Sequence, residues 1–121
     1  MIGYLTLGTN DWDRSLAFYD KVLAEMGAGR AFSNDHLQAY AARTGGAMIA
    51  VCKPHDGGPA THGNGTMVSL NAASRDHVDR VYAAAMAAGA KDEGAPGLRG
   101  DTFYGAYFRD PDGNKFCVYH R

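Results

Sequence analysis

The chain matches itself after a shift of 63 residues, and this limits the folds open to it more than any other feature. Met67-Val-Ser-Leu falls on Tyr4-Leu-Thr-Leu, and Tyr82 falls on Tyr19. In the first half, Tyr4-Leu-Thr-Leu alternates as a strand does and runs through Asn10-Asp11 into a helical stripe. Trp12, Leu16, Tyr19 and Leu23 recur there at i, i+4, i+7 and i+11, with Val22 and Met26 beside them. Asp11 is placed to cap this helix, because a carboxylate at that point accepts the free amides of the first turn. Gly27 or Gly29 supplies the stop. In the second half Met67-Val-Ser-Leu reads as the strand, Ser74 as the cap, and Val78, Val81, Tyr82, Ala85 and Met86 as the stripe, ended by Gly89. Helices are therefore predicted over Asp11–Met26 and Ser74–Ala88. Further on, Gly46-Ala-Met-Ile-Ala-Val-Cys aligns with Gly113-Asn-Lys-Phe-Cys-Val-Tyr and sets Ala50 against Cys117. Each half reads strand, helix, then two or three strands. The expectation is one α+β domain built from two related modules, residues 1–60 and 63–121.

A chain of 121 residues can bury a core without metal or disulfide staples. With 12 Lys+Arg against 13 Asp+Glu and no basic run, it lacks the cationic face that nucleic-acid binding requires. Its apolar stretches are a few residues long, far short of the roughly 20 that span a bilayer. The opening MIGYLTLGTNDWD has neither the basic start nor the apolar run of a signal peptide. Cys52 and Cys117 form no disulfide scaffold, so a reducing, cytoplasmic setting is expected. Pro54 to Gly65, rich in Gly, Pro and Asn, carries turn chemistry and joins the halves.

The segment Tyr107-Phe-Arg-Asp-Pro-Asp-Gly-Asn-Lys-Phe reads as a hairpin, with Pro111-Asp112 setting a type I turn and Gly113 supplying a positive φ. Together with SLAFYDKVL (Ser15 to Leu23) and the half-chain repeat, it resembles the glyoxalase / bleomycin-resistance / dioxygenase superfamily, the vicinal oxygen chelate proteins. GNGTMVSL and DEGAPGLR are similar to a bacterial glyoxalase-like branch. The resemblance implies paired βαβββ modules whose sheets form an open curled groove with helices outside. It also implies that metal-dependent members hold a divalent ion through His or Glu at four positions, on the first and last strand of each module. Carried onto this chain, those positions are Tyr4, Ala50, Met67 and Cys117. A phenol stays protonated at neutral pH, a methyl offers no lone pair, and thioether plus thiol favour soft ions. No metal and no other cofactor is therefore expected.

Tyr4, Tyr107 and Tyr119 fall on strand positions of groove parity, and aromatic walls with hydroxyl tips suit a small amphipathic ligand. Packing at a module or dimer interface is the equal alternative. Cys117 shares that parity and reads as a small apolar filler, with no cation beside it in sequence to make it a nucleophile. His55, His62 and His77 read as surface residues, whereas His36 and His120 lie where a groove mouth could be reached. Arg43, Arg99 and Arg109 are near strand ends or loops, solvated by default and able to meet a carboxylate. Two functions stay open. One is sequestration of a small organic ligand, as the resemblance to the bleomycin-resistance branch implies. The alternative is an enzyme of the lactoylglutathione-lyase-like or isomerase type using other residues. Open sheet edges and the habit of such proteins suggest a homodimer.

Overall fold

In the computed structural model, which describes all 121 residues, the two halves repeat one plan. The first runs β1 (Tyr4–Gly8), α1 (Trp12–Glu25), β2 (Ala28–Ser33), β3 (Leu37–Ala42) and β4 (Met48–Cys52). The second runs β5 (Val68–Asn71), α2 (Arg75–Ala87), β6 (Lys91–Leu98), β7 (Tyr104–Arg109) and β8 (Lys115–His120). Both caps act as their chemistry requires: Asp11 accepts from the Arg14 amide and Ser74 from the His77 amide. Gly27 and Gly89, both at positive φ, follow the C-caps Met26 and Ala88. Met67 corrects one expectation, because β5 starts at Val68. The Gly63–Thr66 turn occupies the approach, and ladder pairing with β8 begins only where Val68 meets Phe116.

The strands form two separate four-stranded sheets, ordered β1-β4-β3-β2 and β5-β8-β7-β6. In each, the first strand lies parallel to the last and the other pairs are antiparallel. Thr6 stands across from Ala50, and Ser69 from Cys117. Thr6 and Ser69 are themselves related by the half-chain shift, so Ala50 and Cys117 occupy equivalent places. Each sheet turns one face to a common core. Leu7, Tyr40, Ile49 and Val51 point inward from the first sheet, and Ala106, Phe108, Phe116 and Val118 from the second. Leu16, Tyr19, Val22 and Leu23 of α1 pack between them, with Val78, Val81 and Ala85 of α2. The middle of each predicted stripe is thus buried, Trp12, Met26, Tyr82 and Met86 are half-buried, and Phe18 joins the buried set. Each helix lies on the side of its sheet away from Ala50 or Cys117, since alternation along a strand separates the two faces.

The Asp110 turn locks the halves together. Gly113, at φ 92, donates its amide to the Asp110 carbonyl at 2.9 Å and closes the hairpin. The Asp110 carboxylate accepts from the Asp112 and Asn114 amides at 2.9 and 2.8 Å and from the Asn114 side chain at 2.8 Å. Tyr19 of α1 donates to it from the other half at 2.5 Å. Asp112 in turn accepts from the Thr9 hydroxyl at 2.6 Å and the Asn10 amide at 2.9 Å, while the Asn114 side chain donates to the Gly8 carbonyl. No buried side-chain nitrogen or oxygen lacks a partner.

Candidate functional site

The outer faces, turned away from the core, carry the residues the sequence marks. On the first sheet the pairing puts Thr6, Ala50 and Ala39 in one row, with Tyr4 beside Met48 in the next. Tyr4, Phe32, Leu37, Ala39, Met48 and Ala50 line a cavity of about 370 Å³. Tyr4 and Phe32 are 61 % and 60 % exposed, unusual for large apolar side chains. The small side chains of Ala39 and Ala50 form its floor and leave the room above it.

The second sheet presents a different surface. Ser69, Cys117 and Tyr107 lie side by side on β5, β8 and β7. Tyr119 stacks on Phe103, ring centroids 4.8 Å apart. The Arg99 guanidinium sits 5.7 Å from the Tyr107 ring centre and donates to the Ala95 carbonyl at 2.7 Å. Gly97 makes space for it, since a Cβ there would come within 3.0 Å of a guanidinium nitrogen. Burial pushes the Cys117 thiol up, with the neighbouring Tyr107 and Ser69 side chains only partly offsetting it. A thiol raised in this way is a filler at neutral pH and not an activated nucleophile. Burial likewise pushes the Tyr107 hydroxyl up.

Within one chain no cavity takes residues from both outer faces. Tyr4 and Ala50 meet on the first, Tyr107, Cys117 and Tyr119 share the second, and Met67 is exposed just ahead of β5. No group of three or more His, Cys, Asp or Glu side chains is arranged to hold a metal ion. A methyl, a protonated thiol, a thioether and a phenol do not fit a divalent cation that needs carboxylate, imidazole or thiolate donors.

The histidines divide. His120 is tied by Nδ1 to the Ala72 carbonyl at 3.0 Å, and so is held at the β5–α2 junction. His77 bridges Glu25 of α1 and Ala73, and His62 packs on Gly113. His36 and His55 line further cavities beside β4, and Lys53 lines both of these with them. Sequence reading missed Phe32, Leu37, Ala39, Met48 and Lys53. The alternation of Leu37-Gln-Ala-Tyr, extended to β4 through the pairing of Ala39 with Ala50, was the available signal for three of them.

The chain matches the Glyoxalase/Bleomycin resistance protein/Dioxygenase superfamily over residues 1–118 and belongs to that family. Among solved structures it is similar to a glyoxalase/bleomycin resistance protein from Albidiferax ferrireducens T118, with 38 % identity and a TM-score of 0.91. That comparison covers 100 % of this chain and 98 % of the other. A glyoxalase-related enzyme from Fulvimarina pelagi shares the fold at 20 % identity and a TM-score of 0.80, over 100 % and 88 % of the two chains. So does a lactoylglutathione lyase from Agrobacterium tumefaciens, at 22 % identity and a TM-score of 0.72 over 99 % and 92 %. A search of curated proteins returns no match. No helix is long and apolar enough to cross a membrane.

Proposed function

We propose that this chain is a cytoplasmic small-molecule-binding member of the superfamily that works without the family's divalent ion. The observation that carries the reading is the apolar cavity on the first sheet's outer face, floored by Ala50, a position that the family resemblance assigns to a metal ligand. Removing donors from that face raises its affinity for apolar surface, at about 25 cal/mol per Å² buried. The neighbouring second face, with Tyr107, Cys117 and Tyr119, forms the opposite wall when two copies pair. Exposed Tyr4, Phe32 and Met67 are the side chains such pairing would cover.

Calorimetric titration with octanol tests the cavity. The native chain binds it, and Ala50→Phe, which fills the floor, weakens binding at least about tenfold in protein that still shows a cooperative thermal transition. Absent binding, or binding indifferent to that substitution, contradicts the reading. Sedimentation at micromolar concentration is expected to give a dimer, and a monomer there contradicts the pairing. A lyase activity on the hemithioacetal of glutathione and methylglyoxal would favour the enzymatic alternative.

A further inference from the structure

Three cavities beside β4 adjoin, each sharing lining residues with the next, and together outline a trough. The apolar cavity shares Asn34 and Leu37 with a second of about 560 Å³, which Thr6 and Cys52 also line. The second shares His36, Lys53 and His55 with a third of about 460 Å³, under the Pro54–Pro59 stretch of the connection. Polarity therefore changes along the trough, from Tyr4 and Phe32 at one end to two imidazoles and an ammonium at the other. Although the chain has 13 Asp and Glu residues, none lines any of the three cavities.

The donors at the polar end are free to bind. Lys53 is in none of the ion pairs, and its ammonium donates one hydrogen bond, to the Asp35 carbonyl at 3.1 Å. It sits 5.0 Å from the ring centre of Trp12, which fixes its position at the rim. The ring nitrogens of His36 and His55 make no hydrogen bond within the chain. The His36 main chain is held instead, its amide by the Asn34 side chain at 2.8 Å and its carbonyl by the Lys53 amide at 2.9 Å. An ammonium with N–H groups to spare and two imidazoles without partners, around cavities that no carboxylate lines, are donors an anion could use.

Resting on the proposed apolar binding face, we infer that the ligand is a small amphipathic anion. Its apolar body lies over Ala39 and Ala50, and its carboxylate or phosphate is received by His36, Lys53 and His55. Trp12 is the only tryptophan and lies against Lys53, so its fluorescence reports on the anionic end.

Titrations with octanoate, octyl phosphate and octanol below their micellar concentrations separate the possibilities. At least one anion is expected to bind about tenfold more tightly than octanol and to shift Trp12 emission. That preference should disappear in Lys53→Met and shrink in His36→Gln, while octanol binding stays as it was. The stronger of octanoate and octyl phosphate identifies the head group. Equal affinity for anion and alcohol, or a preference unchanged in Lys53→Met combined with His36→Gln, overturns the anionic end and leaves the apolar face standing. Failure of all three to bind overturns both.

Discussion

Replacing Asp110 with alanine is expected to cost about 3–5 kcal/mol of unfolding free energy in urea or guanidinium titration. Asp110 is only 3 % exposed and takes four hydrogen bonds, from Tyr19, Asn114 (twice) and the Asp112 amide. Alanine leaves those donors facing a void, and each unsatisfied buried donor costs roughly 1–3 kcal/mol. A loss under about 1 kcal/mol would contradict the role given to this carboxylate. Its proton also sets a pH dependence. Burial, the largest cause, raises the Asp110 carboxyl above its ordinary value, and the Asp112 charge adds to this against the hydrogen bonds of Tyr19 and Asn114. The unfolded chain then releases this proton at lower pH than the folded one. Across that interval the folded state holds more protons, so stability falls as pH rises from the ordinary aspartate range through the raised value. Asp110→Asn lacks the proton, and its stability should lose that component of the slope.

Phe116→Ala should be comparably severe, about 3–5 kcal/mol by the same measurement. Phe116 is 1 % exposed, stacks on Phe108 with ring centroids 5.4 Å apart, and meets Tyr19 of the other half at 6.0 Å. Its removal opens a cavity where the two modules join. Tyr119, three residues on and only half-buried on the outer face, should lose distinctly less as Tyr119→Ala. Equal losses at the two positions would show that the assignment of inner and outer faces is wrong.

Both positions show what was legible beforehand and what was not. The helices were readable because Leu16, Tyr19, Val22 and Leu23 repeat at helical spacing between a capping Asp11 and a stopping Gly27. The hairpin was legible from the turn residues at 110–113, and the structure sets its register so that Phe108 pairs with Phe116. The reach of Tyr19 to Asp110 was not legible, since the two are 91 residues apart and no local pattern links them. Nor could alternation tell which copy of an outer face meets which, so Tyr4 and Cys117 were grouped though the single chain keeps them on different sheets. Lys53 escaped notice because a lone lysine after a strand is ordinary. Only the folded chain brings His36 to the cavities that Lys53 and His55 line.

The most direct test of the metal-free reading is elemental analysis of the purified chain combined with calorimetric titration of Ni²⁺, Zn²⁺, Mn²⁺ and Mg²⁺. With Ala50 offering no donor and the Cys117 thiol pushed up by burial, the expected result is no stoichiometric metal and no saturable heat at micromolar protein concentration. One divalent ion per chain, bound tightly enough to survive dialysis and displaced by chelator, would contradict it.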